Sequence, residues 1–269
     1  MLLAIDIGNS NVVIGCLNEN NETIKLFRMV TDLKKTDDEY AAGIKTILEF
    51  NGLGCADFEG AIICSVVPPL TGIFRSAVER ITGHRALIVG TGVKTGLNVM
   101  IENPGSLGSD IVAASVAAMA DFPLPVMVFD MGTATTITVV DKGNKFIGGA
   151  IVPGVVLSMN ALSAGTSLLQ KVTIEAPKKC ISSTTTDCMQ SGAVYGNAAM
   201  LDGMIDRFEE ELGAKCSLVA TGGIASKIVP HCRHEIVYDE NLLLRGLGII
   251  YRKNQRGARG APPGADQAT

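Results

Sequence analysis

Between Pro125 and Val140 the chain reads PVMVFDMGTATTITVV: an apolar run ends in Asp130, Met131-Gly132-Thr133-Ala134-Thr135-Thr136 turns the chain, and β-branched residues resume. That order predicts strand, tight turn and strand, with an acid at the mouth of the hairpin. Gly132 lets a backbone approach a phosphate with no Cβ in the way, while threonine hydroxyls and successive amides offer neutral donors around a polyanion. A carboxylate does not face phosphate bare, so Asp130 is expected to hold a cation.

The pattern occurs a second time at the start of the chain. Leu2-Leu3-Ala4-Ile5 runs into Asp6-Ile7-Gly8-Asn9-Ser10-Asn11, and Val12-Val13-Ile14-Gly15 follows. One D-x-G turn is a weak signal, because an ordinary hairpin turn reads the same way. Two matched copies, each between strands, predict a duplicated fold, and 269 residues suffice for two domains of similar size.

With 47% hydrophobic residues, 19% charged residues and a net charge of −4, the composition is that of an ordinary globular protein and gives no electrostatic case for nucleic acid. The seven cysteines are scattered and form no C-x-x-C pair, which predicts free thiols and a reducing, cytoplasmic setting. Asp6 interrupts the first apolar run, and no stretch reaches about 18 apolar residues, so neither export nor membrane insertion is expected. Residues 256–269 are Gly, Ala, Pro and polar types without periodicity, and a disordered tail is expected there.

Along the chain, a strand is expected over Thr23–Val30. A helix capped by Thr36 should run through Phe50, its apolar face formed by Tyr40, Ile44, Ile47 and Leu48. Gly60–Val67 reads as a buried strand, Pro68-Pro69 opens an amphipathic helix, and Arg85–Val89 as a further strand. The segment from Asn103 to Asp110 reads as a loop before a helix over Ile111–Met119. After the central hairpin come a strand over Lys145–Ile151, a loop over Gly148–Gly154, a helix through Leu162 and a long helix from Thr184 to about Leu212. Cys216–Ala220 is a strand ending in Thr221-Gly222-Gly223. Mixed hairpins and crossovers exclude a simple doubly wound sheet. His231-Cys232-Arg233-His234 lacks the ligand spacing of a structural zinc site and reads as a solvated loop.

Asp6–Asn11, Asp130–Thr136 and Ala220–Ala225 resemble, in order, the first phosphate, second phosphate and adenosine loops of the acetate and sugar kinase, heat-shock ATPase and actin superfamily. Within it, DIGNSN, ENPGSLGSD, DMGTATT, GGAIVPG and ATGGI resemble the type III pantothenate kinases over roughly residues 2–251. The resemblance implies an α/β fold of two duplicated actin-like (ribonuclease H-like) domains, mixed β-sheets flanked by helices, divided as residues 1–115, 116–255 and the tail. It also implies transfer of the ATP γ-phosphoryl group to pantothenate, the first step toward coenzyme A, in a homodimer whose acceptor site is built at the subunit interface.

By the same resemblance Asp110 is the base that takes the hydroxyl proton. Asp6 positions Mg²⁺ through water, with Gly8, Asn9, Ser10 and Asn11 around the phosphates, and Asp130 coordinates K⁺ or NH₄⁺. Gly132 and Thr133 contact ATP phosphate, and Gly222 and Gly223 receive the adenosine. Ile101, Gly108, Ser109, Asp110, Ile111 and Thr185 fall at substrate-contacting positions. Three positions depart from the pattern: Ile111 stands for an arginine, Ile101 for a tyrosine and Gln170 for a proline, so the acceptor pocket has lost a cation and a hydroxyl. Two other activities stay open at this point, a kinase of a related small alcohol and a non-catalytic relative that binds nucleotide or pantothenate. An actin-like filament protein would give the ENPGSLGSD segment no role.

Overall fold

A computed structural model of the protein describes residues 1–259. The chain divides into two compact units, neither of them continuous in sequence. The first comprises Met1–Gly96, Gly105–Val116 and the chain from Leu244 onward, the second Leu97–Pro104 and Ala117–Leu243. This differs from a single cut after residue 115 chiefly because the last helix returns to the first unit.

In chain order the elements are β1 (Leu2–Ile7), β2 (Asn11–Leu17), β3 (Thr23–Val30), α1 (Asp37–Phe50), β4 (Gly60–Ser65), α2 (Pro68–Thr82), β5 (Ala86–Ile88), β6 (Asn98–Val99) and α3 (Ser109–Asp121). The second half adds β7 (Val126–Met131), β8 (Ala134–Val140), β9 (Lys145–Pro153), α4 (Val155–Ala164), α5 (Thr185–Ser191), α6 (Asn197–Leu212), β10 (Ser217–Thr221), α7 (Ala225–Ile228), β11 (Val237–Tyr238) and α8 (Leu242–Arg259).

The first unit carries a sheet of order β3-β2-β1-β4-β5. Its first three strands are antiparallel neighbours, whereas β1 with β4 and β4 with β5 are parallel. A central strand covered on both faces must be apolar nearly throughout, and in β1 every residue but Asp6 is buried. Helix α1 begins as expected: the Glu39 amide donates to Thr36 Oγ1 at 3.3 Å, and the Thr36 amide donates back to the Glu39 carboxylate at 2.8 Å. Tyr40 of α1 and Phe74 of α2 meet with ring centroids 4.2 Å apart and planes tilted by 44°, in the same buried core as Leu3, Ile5 and Ile63.

Helix α8 had no counterpart among the expected elements. It buries Leu244, Leu247, Ile250 and Tyr251, spaced at helical intervals. It lies close to its own unit because glycines make room: a Cβ on Gly15 would stand 2.7 Å from Leu244, and one on Gly60 or Gly246 would come closer still to the Tyr251 hydroxyl or the Ala113 carbonyl oxygen. Arg252 then donates to the Asn18 carbonyl at 2.6 Å and to Asn21 Oδ1 at 2.9 Å. The helix continues through Arg259, where a tail was expected from residue 256; the rest of that expected tail lies outside the described residues.

The second unit repeats the first. Its sheet, β11-β10-β7-β8-β9-β6, contains β9-β8-β7-β10-β11 in the order of β3-β2-β1-β4-β5 and with the same parallel and antiparallel pairs, and β6 is added beside β9. Met127, Phe129, Met131, Ile137 and Val139 form the core with Ala198, Leu201 and Ile205 of α6. The strand expected over Lys145–Ile151 runs on to Pro153, so the overlapping loop expected over Gly148–Gly154 is replaced by strand: Gly148 sits at φ 121° beside the register shift at Val139/Val140, and Gly149 leaves room for the Ile137 carbonyl. The expected long helix is present from Thr185 to Leu212: α5 passes into α6 through a π-helical turn over Gly192–Gly196, with the backbone staying right-handed helical at both junctions. Among the described residues, no helix is long and apolar enough to cross a membrane.

Candidate active site

In the first unit the turn after β1 is closed by the Gly8 amide donating to the Asn11 carbonyl at 3.0 Å. A Cβ on Gly8 would sit 3.1 Å from that same oxygen, so the turn favours glycine. Thr31, just beyond β3, secures the turn from the side: its hydroxyl donates to the Gly8 carbonyl at 2.6 Å and its amide to Ser10 O at 3.2 Å. Asn9, Ser10 and Asn11 are exposed. Asp6 lies opposite Val13 on β2 and Cys64 on β4, and Cys64 Sγ donates to Asp6 Oδ1 at 3.1 Å.

Asp110 belongs to the same neighbourhood. It was expected in a loop, but it lies in the first turn of α3, which starts at Ser109. The cause is a long-range clamp: Ser109 Oγ accepts from the Ser65 amide at 3.0 Å and donates to the Ser65 carbonyl at 3.1 Å, tying the helix start to the end of β4. Ser109 therefore spends its hydroxyl on the scaffold. Asp110 Oδ1 accepts from the Ile111 amide at 2.8 Å, and its carboxylate fills the space that a Cβ on Gly108 would take. Burial holds the Asp110 carboxyl above its usual range, partly offset by that amide. Burial also pushes the Cys64 thiol well up, helped by the charge of Asp6 and then by that of Asp110. Asp6, Cys64 and Asp110 thus form one electrostatic group.

In the second unit Asp130 occupies the register position of Asp6, but between Thr136 on β8 and Thr221 on β10. Side chains opposite one another on adjacent strands share a face, so the acid at 130 has hydroxyl neighbours where the acid at 6 has a valine and a thiol. A carboxylate with two hydroxyls is a hard oxygen set, suited to an alkali cation. The turn after Asp130 is closed by the Gly132 amide donating to the Ala134 carbonyl at 3.0 Å, and the Gly154 amide donates to the Thr133 carbonyl at 3.1 Å. Gly222, at φ 94°, brings its backbone against Met131, where a Cβ would be 2.6 Å from the carbonyl oxygen. Gly223 faces open space. The two glycines therefore differ: one is demanded by packing, and the other leaves a surface free.

Thr185 is exposed at the start of α5, after its cap Thr184. It lines a largely apolar cavity of about 560 Å³ with Met189 of α5 and with Val155, Met159 and Leu162 of α4. That volume falls in the range of small-molecule sites. Ile101 follows β6 in this second unit, whereas Gly108 to Ile111 belong to the first. Cys64, Thr221 and Gly154 were not named as site residues from the sequence, and Thr136 was named only as one of the turn's hydroxyl donors. Strand register, which puts β4 beside Asp6 and β8 and β10 beside Asp130, reveals the places of Cys64, Thr136 and Thr221.

Comparison with solved structures shows the fold. A ROK family glucokinase from Streptomyces griseus, solved with glucose and AMPPNP, superposes with a TM-score of 0.57 over 95% of this chain and 99% of that one at 12% identity. A Baf family protein from Campylobacter jejuni gives 0.58 over 94% and 99% at 21% identity. The fold is the duplicated actin-like α/β fold found among kinases. The chain belongs, more narrowly, to the type III pantothenate kinase family, whose pattern matches residues 2–207. The type III pantothenate kinase of Brevibacillus brevis is 41% identical to it over 255 residues, 95% of this chain and all of that one.

Proposed function

We infer that the protein phosphorylates pantothenate with ATP, forming 4'-phosphopantothenate on the way to coenzyme A. Family membership over nearly the whole chain supports the reaction, and the contrast between the three acids supports the roles proposed for them. Phosphoryl transfer asks little covalent chemistry of a protein; it needs alignment, charge neutralisation and a base for the attacking hydroxyl. The observation that carries the assignment of the base is the environment of Asp110, a carboxylate whose burial raises its proton affinity at the start of a helix clamped to β4. Asp110 accepts the proton from the primary hydroxyl of pantothenate.

Asp6 holds the hydrated Mg²⁺ of the nucleotide. One carboxylate beside a turn of amides suits an ion that keeps most of its water. Asp130, with Thr136 and Thr221, holds K⁺ or NH₄⁺, which supplies positive charge near the phosphates. Gly8 to Asn11 and Gly132-Thr133 offer donors to the phosphates, and Gly223 leaves room for the adenosine. Asp6 and Asp130 thus divide two cation tasks between two copies of one hairpin. Thr185 contacts the acceptor, and Ile101 and Ile111 make its surroundings apolar. The cytoplasm, where ATP is made and thiols stay reduced, suits a chain with seven free cysteines.

We also propose a homodimer. The exposed stripe Gly192, Gly196 and Ala199 allows close packing against a second copy, and Val156 and Leu157 of α4 are exposed as well. Ala193 and Ala198, small residues of the same helical run, are 2% and 1% exposed and belong to the core of their own unit. The test of the reading is ATP-dependent, pantothenate-dependent ADP release measured in potassium, ammonium and sodium salts. Rates should be high in the first two and low in sodium; equal rates in all three would remove the cation role of Asp130.

A further inference from the structure

Cys64 is fully buried, and no phosphate-loop or adenosine-loop motif includes it. Most buried cysteines act as small apolar filler, since a thiol is a weak donor. Here the sulfur instead meets a carboxylate, at 3.1 Å from Asp6 Oδ1 and one strand across from it in parallel register. The duplicated sheet supplies a second, independent observation. Thr221 stands at the same register position beside Asp130, so both copies set a proton-bearing side chain on the strand next to the acid of the turn.

We propose that Cys64 is a positioning residue for phosphoryl transfer: its Sγ–H fixes the rotation of the Asp6 carboxylate that holds the hydrated Mg²⁺ of ATP. The inference rests on the reading of Asp6 given above. A carboxylate that orders metal-bound water must present its oxygens in a fixed direction, and partners behind a metal-binding side chain commonly set that direction. A neutral donor suits the task, because a cation at 64 would compete with Mg²⁺ for the charge of Asp6. Removing the thiol leaves the carboxylate in place and loosens its aim. The loss therefore falls on metal-dependent nucleotide binding, while acceptor binding is spared.

The experiment compares wild type, Cys64→Ala, Cys64→Ser and Asp6→Asn in two ways: Mg²⁺ titration of the rate at fixed ATP, and calorimetric binding of a non-hydrolysable ATP analogue with and without Mg²⁺. Cys64→Ala should raise the Mg²⁺ needed for half-saturation by about tenfold. It should leave metal-free analogue binding and the KM for pantothenate within about twofold of wild type. Cys64→Ser, which keeps a donor, should restore near wild-type Mg²⁺ dependence. An unchanged Mg²⁺ dependence in Asp6→Asn would overturn the reading of Asp6 itself. A shift in Asp6→Asn with none in folded Cys64→Ala would overturn the role of Cys64 alone. Should Cys64→Ala fail to fold, the S–H stretching band assigned by difference against Cys64→Ser decides: it should move when Mg²⁺ is added with the analogue, and a band that stays in place contradicts the proposal.

Discussion

Asp110 and Asp6 are both carboxylates of the first unit, yet one accepts from a backbone amide at a helix start and the other from a thiol between two strands. Burial raises the pKa of Asp110, so the folded protein binds more protons there than the unfolded chain does. Stability from this group consequently falls as pH rises from the ordinary carboxylate pKa through the raised one, and the cost is complete above the latter. Asp110→Asn removes that cost and keeps an oxygen for the Ile111 amide. The variant should melt higher than wild type at neutral pH, and the gap should close as pH falls. Its turnover should drop by about two orders of magnitude while ATP binding persists. In the wild type the acid limb of the rate profile should lie above the usual carboxylate range. A variant that melts lower than wild type at neutral pH would mean that the buried charge is not a cost.

At the scale of elements, the repeated hairpins, the capping box at Thr36 and the strands before each acid were legible because local patterns encode them. Other features depend on contacts distant in sequence. The first turn of α3 is set by Ser109 meeting Ser65, and the run of β9 beyond Ile151 to Pro153 by its pairing with Thr135 and Ala134 of β8. Helix α8 carried a helical apolar spacing that was readable but was overshadowed by the polar tail after it. The pair Gly222 and Gly223 makes the same point experimentally. Gly222→Ala forces a Cβ into a left-handed residue and into Met131, and should cost about 2 kcal/mol or more in denaturant unfolding. Gly223→Ala meets no atom, so stability should change by less than about 0.5 kcal/mol, while the KM for ATP rises. Equal destabilisation by both substitutions would contradict the packing account of the turn.

For the whole molecule, duplication was the feature most fully written in the chain: two D-x-G turns announce two sheets, and the sheets share strand order and pairing. The candidate site was legible in its acids, which sit in motifs, and less so in their neighbours, which only register brings near. On the π-turn and α6, burial separates the exposed small residues Gly192, Gly196 and Ala199 from the buried Ala193 and Ala198. Ala199→Arg, on the exposed side, should give folded monomers by sedimentation that bind the ATP analogue and turn over at least about tenfold more slowly. A wild type that is monomeric and fully active at assay concentration would contradict the dimer.

The most direct measurement of the central claim is product identification by phosphorus NMR and mass spectrometry after incubation with ATP, Mg²⁺, potassium and pantothenate, using wild type and Asp110→Asn in parallel. The account predicts one phosphate ester on the primary hydroxyl of pantothenate for each ATP consumed by wild type, and little product from the variant. Folded wild type that binds ATP yet yields no pantothenate ester, or a variant that yields as much as wild type, would contradict it.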